Sequence, residues 1–277
     1  LEGAKDASIS FQVSGKPTPD VNRKRWGGDI QLAYAPINHL AFTYSYSNRK
    51  ERDVNTDTSY GYFNNYNAKY THNVHEFGVG FFHTPNRNFT HLSYNKLSYL
   101  SPLWVCSIFN NTKVGFSLFG GFGFGSLHLN DNGLINPNTT YNRFLDDRYT
   151  KLFFQPSIHF FKSEYFSFSF ITKFSRLYFN KVQTNYSTDE LSALKLDAFQ
   201  TNAFEISELF FNLTYKIPDV EWLQLQINLG NAWSGNNSSN VRGTTGSVAV
   251  YVNPFKMFGT KSNSTLNSKH QQQSSTK

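Results

Sequence analysis

The chain has one cysteine, Cys106, and one methionine, Met257, in 277 residues. A lone thiol closes no internal disulfide, so a cystine-stapled scaffold is excluded. No stretch approaches the roughly 18 consecutive apolar residues of a membrane-spanning helix, and a helical membrane protein is excluded with it. Charged residues make up only 16% of the chain, too few for the ion-pair-laced surface of a helical bundle. Histidine and cysteine form no group at metal-ligand spacing, so neither a metal nor any other cofactor is expected. Ring-bearing side chains are abundant instead: 17% of residues are Phe, Trp or Tyr, which favours strands. The formal charge of +7 comes from basic residues scattered among Asn-, Ser- and Thr-rich stretches, which argues against a nucleic-acid partner.

Apolar and polar residues alternate along these stretches. Ile9, Phe11 and Val13 oppose Ser8, Ser10 and Gln12, and Ile30, Leu32 and Tyr34 oppose Asp29, Gln31 and Ala33. Leu40, Phe42, Tyr44 and Tyr46 oppose Ala41, Thr43 and Ser45 in the same way. Each segment reads as a strand with one apolar face. Further strands are expected at 73–84, 113–129, 148–161, 165–178, 199–215, 221–233 and 242–255, about ten in all. Eight to twelve are possible, because 85–112 could hold a short helix or another hairpin. Short connections at 35–38, 162–164 and 216–219 alternate with long ones at 48–71, 131–147, 179–197 and 234–242. Bacterial outer-membrane barrels have short periplasmic turns and long extracellular loops. The expected fold is therefore all-β: a single closed antiparallel transmembrane β-barrel over residues 1–258, with loops extracellular and termini periplasmic. A polar tail follows at 259–277 on the periplasmic side. Its composition would leave it disordered alone, so it is expected to dock on the barrel or on a periplasmic partner.

Alternation assigns sides. The inner face collects Asp29, Gln31, Glu76, Lys151, Gln155, His159, Lys173, Glu205, Gln224, Gln226 and Asn228. The lipid face collects Ile9, Phe11, Val13, Ile30, Leu32, Phe42, Phe77, Val79, Phe116, Phe154, Phe168, Leu225 and Ile227. Charges must face inward where the wall meets hydrocarbon, since a Lys or Arg at the bilayer midplane costs about 2–4 kcal/mol. In a narrow barrel such a network fills space as a structural device; a small pore is the other reading. The run Gly120-Gly121-Phe122-Gly123-Phe124-Gly125 lacks the lysine and following helix of a phosphate loop. Glycines in such a run make room for bulky neighbours and allow curvature.

Chemistry is harder to find. The loop acids Asp53, Asp57, Asp146, Asp147 and Glu190 have no histidine at a recognisable spacing. His72 and His75 lie three apart on an extended segment and so point to opposite faces. No enzymatic activity is expected. Tyr60, Tyr62, Phe63, Tyr66 and Tyr70 could stack on sugars or grip a partner, or belong to an aromatic belt. Arg23, Lys24, Arg25, Arg49, Lys50 and Arg52 lie in or beside outer loops, where they could meet lipopolysaccharide phosphates.

The stretches GAKDASIS at 3–10, QLAYAPINHLA at 31–41 and HEFGVGFF at 75–82 resemble a family of small outer-membrane barrel lipoproteins of Bacteroidota. The glycine-rich strand at 120–125 and Phe153-Phe154-Gln155-Pro156 continue the likeness, which covers most of residues 3–160. Members tend to carry a Glu-Pro pair in the eighth strand, whereas Glu205 is here followed by Ile206. The resemblance implies a lipidated cysteine shortly upstream of the first strand and brings no catalytic residues. The expected role is that of a non-catalytic accessory or structural subunit of an outer-membrane protein complex, such as a secretion translocon, an uptake system or the barrel-assembly machine. A small porin-like channel and a surface-loop adhesin or glycolipid-binding barrel are the alternatives. Expected partners are outer-membrane lipids, with lipopolysaccharide a candidate, and other outer-membrane or periplasmic proteins.

Overall fold

The structure, a computed structural model, describes residues 5–15, 23–55, 65–83, 113–161, 163, 165–180, 182–194, 196, 199, 204–220, 222–234 and 243–258. In chain order it contains β1 (Asp6–Gly15), β2 (Arg23–Ile37), β3 (Leu40–Asn55), β4 (Tyr66–His83), β5 (Lys113–Asn136) and β6 (Thr139–Phe161). There follow β7 (Phe166–Phe179), a two-residue β8 (Gln183–Thr184), helix α1 (Thr188–Ala193), β9 (Phe204–Lys216), β10 (Leu223–Ser234), β11 (Gly243–Val252) and helix α2 (Pro254–Phe258).

Neighbours in sequence pair antiparallel from β1 to β7, β7 pairs with β9, and β9 to β11 continue the order. β1 then pairs with β11 from Ile9↔Val252 to Gly15↔Gly246, which closes a barrel of ten strands. Where β7 ends beside Tyr149, β8 takes its place against Leu145 and Asp146 of β6. The ten-stranded count matches the expectation from alternation. Residues 85–112 and 259–277, where another hairpin and a docked tail were considered, lie outside the described residues.

One boundary differs clearly from the sequence reading. The connection expected over 131–147 is not a loop: β5 and β6 run for 24 and 23 residues and turn only at Pro137 and Asn138. About ten residues suffice to cross hydrocarbon, so this hairpin stands far beyond the apolar band. Alternation fails to mark it because outward residues there are polar, such as Ser126, His128 and Asn130, and resemble loop sequence. β3 and β4 likewise extend to Asn55 and from Tyr66. At the other end, Pro254 starts α2, so the final strand ends at Val252, short of the Phe255 expected from the sequence. Asn253 holds this corner, accepting from Lys256 N at 3.0 Å and donating to Asp6 Oδ1 at 2.5 Å.

The outer wall is apolar. Phe11, Val13, Ile30, Leu32, Phe42, Phe77, Val79, Phe116, Phe154, Leu225 and Ile227 are between 39% and 70% exposed, and Ile9 shares their side half-buried. Phe168 faces the same way but is buried, because the rings of Phe160, Phe170 and Phe211 close over it at centroid distances of 4.8–6.4 Å. Buried side chains turned the other way are mostly hydroxyls, amides and ions: Ser10, Asp29, Glu76, Lys151, Asn212 and Gln226. This inversion of the usual inside and outside belongs to a protein whose solvent is hydrocarbon.

The glycine run fits the wall through close approach. A Cβ on Gly121 would lie 2.8 Å from Gly78 Cα and 2.8 Å from the Phe153 ring, which fills that gap on the inside. Gly121→Val is expected to cost roughly 1–3 kcal/mol through overpacking, measured as a lower urea midpoint of the detergent-folded protein; an unchanged midpoint would show that the β4 backbone at Phe77 and Gly78 gives way as well as the Phe153 ring.

Candidate functional site

The barrel interior holds a cavity of about 480 Å³. Its lining follows from strand parity. On β4, β6 and β7 the inward positions carry Glu76, Lys151 and Lys173, and Glu76 receives both ammonium groups, Lys151 Nζ at 2.6 Å and Lys173 Nζ at 2.5 Å. Ser45 Oγ donates to the same carboxylate at 3.2 Å. Lys173 also sits over the Phe153 ring at 4.7 Å and lies directly opposite Glu208 on β9. Two acids and two bases therefore share one level of the lumen, and their charges balance.

A missing side chain makes this pairing possible. Glu76 and Lys151 are on β4 and β6, and the residue between them on β5 is Gly123. A Cβ there would come within 3.1 Å of Glu76 Cγ and 2.6 Å of His75 O, so only glycine leaves the path clear.

Hydroxyls and amides carpet the wall formed by β1, β2, β9, β10 and β11. Gln12 Nε2 donates to Ser247 Oγ at 2.8 Å, and Asn228 Nδ2 reaches Gln12 Oε1 at 3.3 Å and Ser247 Oγ at 3.1 Å. Toward the long-loop end His72 contacts Tyr149, and Arg25 pairs with Glu51 at 2.8 Å. Toward the short-turn end Ser117 Oγ lies 3.0 Å from His159 Nε2, whose Nδ1 lies 2.8 Å from Ser169 Oγ. A serine beside a histidine suggests a nucleophile, but the third member is a serine instead of a carboxylate, and none of the three lines the cavity.

Asp29, Gln31, Glu76, Lys151, Gln155, Lys173, Gln226 and Asn228 line the cavity, while Gln224 and His159 face inward without reaching it. Glu205 does not belong with them. It is exposed and faces outward opposite Arg176, because the register of β9 puts Asn212 and Thr214, and therefore every even-numbered residue, inside. Glu208 is the inward acid of this strand, and Asn212 and Thr214 are the polar markers of its parity. The surface group also divides. Lys24 is exposed, Arg25 turns inward to Glu51, and the side chain of Arg23 is outside the described part, as are Tyr60, Tyr62 and Phe63. Tyr66 packs partly buried against an apolar cluster.

That cluster narrows the long-loop end. The segment after β7 folds back so that Leu191 of α1, Leu196 and Phe199 meet the inward Ala68, Leu129 and Leu145 of β4 to β6. One carboxylate fixes α1: Glu190 Oε2 accepts from Ser187 N at 2.7 Å, while Oε1 takes Arg143 Nε and Nη2 at 3.0 and 2.8 Å. The Ser187 amide foremost, then Arg143, holds the Glu190 carboxyl below its ordinary range. Nearby, Tyr141 and Tyr186 both donate to Asp131. Burial raises the Asp131 carboxyl; burial together with that carboxylate pushes Tyr141 up to about 12 and raises Tyr186. At the short-turn end Phe82 packs with Ala35, Ala41 and Phe119, and Phe119 lines the cavity.

Among solved structures the chain is similar to the translocator domain of the autotransporter NalP from Neisseria meningitidis, with TM-score 0.50 and 10% identity, covering 91% of this chain and 89% of that one. The fold is that of the outer-membrane β-barrels. Other matches include an outer-membrane channel from Pseudomonas putida F1, with TM-score 0.38, 9% identity and 91% and 96% coverage. The KdgM porin matches with TM-score 0.33, 10% identity and 88% and 98% coverage. No protein-family model and no curated protein matches the chain.

Glu76→Gln leaves two buried ammonium groups with Glu208 as their one remaining acid at that level and is expected to destabilise the barrel by roughly 3–5 kcal/mol. Adding Lys151→Met, which restores one acid and one base at that level, should recover much of the loss, and a double variant no more stable than the single one in urea would contradict the clamp. A second test uses acid. Glu190 has a depressed carboxyl, so its cap is intact above the ordinary glutamate range and is lost as pH falls through the lower folded value. Hydrogen exchange across 186–199 should accelerate on that descent, and Arg143→Ala should move the onset to higher pH; the same onset in both proteins would show that Arg143 does not hold the cap.

Proposed function

We propose that this chain is an outer-membrane β-barrel with an obstructed lumen, acting as a non-catalytic accessory or structural subunit of an outer-membrane protein complex. The observation that carries the reading is the interior itself. A braced set of Glu76, Lys151, Lys173 and Glu208 crosses its middle, and apolar clusters narrow both ends. A wall so apolar outside and an interior so committed to holding itself together suit a fixed part of an assembly better than a conduit. In this reading the chain ends near β1 and β11 and the short turns are periplasmic, and the long β5–β6 hairpin and α1 are extracellular. The sequence resemblance adds a lipid anchor upstream of β1 and a Bacteroidota source. The partners are outer-membrane lipids, lipopolysaccharide among them, and a neighbouring outer-membrane or periplasmic protein. A small porin-like channel is the second reading, favoured by a cavity of about 480 Å³ whose lining includes Asp29, Arg49, Glu76, Lys151 and Lys173.

Planar-bilayer recording separates the two. The purified protein is expected to be electrically silent, whereas reproducible unitary steps from the unaltered chain would make it a channel. Gentle detergent extraction from its own membranes should bring a stoichiometric protein partner, and recovery as a bare monomer after crosslinking would end the subunit role.

A further inference from the structure

Parity divides the basic residues of β2 to β4 in a way that their scattered sequence positions conceal. Lys24 lies opposite Arg52, and Arg52 lies opposite Lys69, in one row across three strands. All three are exposed and face outward. Lys50 lies one outward step below the row, exposed, with its ammonium 5.0 Å from the Trp26 ring centroid. Like charges placed directly opposite one another on neighbouring strands repel. Among the described residues of these strands no acid shares that face: Asp29, Glu51, Asp53 and Glu76 all occupy inward positions. Arg52 Nε donates to Asn67 Oδ1 at 3.0 Å, and that partner is neutral. Down the same wall the outward residues become Trp26, then Ile30, Leu32, Phe42, Phe77 and Val79, all exposed.

A row of adjacent like-charged cations above an aromatic step and an apolar slope is complementary to one kind of molecule, an amphiphile with phosphates on its head group and acyl chains below. From this arrangement we infer that the outer face of β2, β3 and β4 is a binding site for a phosphorylated membrane lipid. Lys24, Arg52 and Lys69 hold the phosphates, Lys50 and Trp26 sit at the head-group boundary, and the acyl chains lie on Ile30, Leu32, Phe42 and Val79. The site rests on the membrane-barrel reading and gives its lipid partner a place on the wall. Arg25 and Arg49, close in sequence, take no part because they face the lumen.

The test compares the full chain with the triple variant Lys24→Gln, Arg52→Gln, Lys69→Gln, each folded in the same non-ionic detergent and titrated with bisphosphorylated lipid A. A control variant, Arg148→Gln with Arg176→Gln, removes outward charges elsewhere on the wall. Each basic residue beside an anionic head group contributes a factor of about five, so the triple variant should bind roughly a hundredfold more weakly. The control should bind as the unaltered chain does, and dephosphorylated lipid A should bind as poorly to the unaltered chain as the bisphosphate does to the triple variant. Equal binding by the triple variant, with its strand content intact by circular dichroism, overturns the site. So does pyrophosphate competing at the same concentration as the lipid, since the site would then hold a free anion. If the chain stays soluble and folded without detergent, the membrane reading fails as well, an outcome distinct from the other two.

Discussion

Backbone amides that leave water need partners, and a sheet can supply all of them only by returning to its first strand. Here the return is the seam between β1 and β11, antiparallel from Ile9↔Val252 to Gly15↔Gly246. Once it is closed, the side of every residue in the ring follows by counting. A slip of one residue at the seam would turn Phe11 and Val13 inward and Gln12 outward, exchanging the two solvents along the whole strand. The charged lumen, the apolar wall and the outward basic row therefore all depend on one register.

The architecture was legible in the sequence because the outward rings and branched carbons are dense. Ile9, Phe11 and Val13, and again Leu225, Ile227 and Leu229, mark alternation within a few residues. Legibility ended where both faces look alike. β9 carries apolar residues on both sides, Leu209, Phe211 and Leu213 outward and Ile206 and Phe210 inward, so Glu205 could be placed inside when it stands outside. The β5–β6 hairpin failed for the opposite reason, since above the apolar band its outer face is as polar as a loop. Its inward Leu129 and Leu145 become meaningful only when α1 folds over to cover them.

The lumen shows how little of a site can lie in its named residues. Glu76 and Lys151 were both expected to face inward, yet their contact spans two strand spacings and depends on Gly123 between them. Alternation places the charges but does not say that they reach one another. The glycine run, which could pass for a flexible or phosphate-binding segment, is where the wall thins enough for Phe153 and the Glu76 pair to occupy the space.

The same clamp bears on how the molecule can be assembled. Its acid is on β4 and its bases are on β6 and β7, with the second acid later still on β9. A chain entering hydrocarbon one hairpin at a time would carry Glu76 ahead of both counter-ions, and the acid would have to take up a proton or stay in water. Strands β4 to β9 avoid that step if they cross as a group, with Lys151 and Lys173 already beside Glu76. The electrostatics of the finished barrel thus favour committing these strands to the bilayer together.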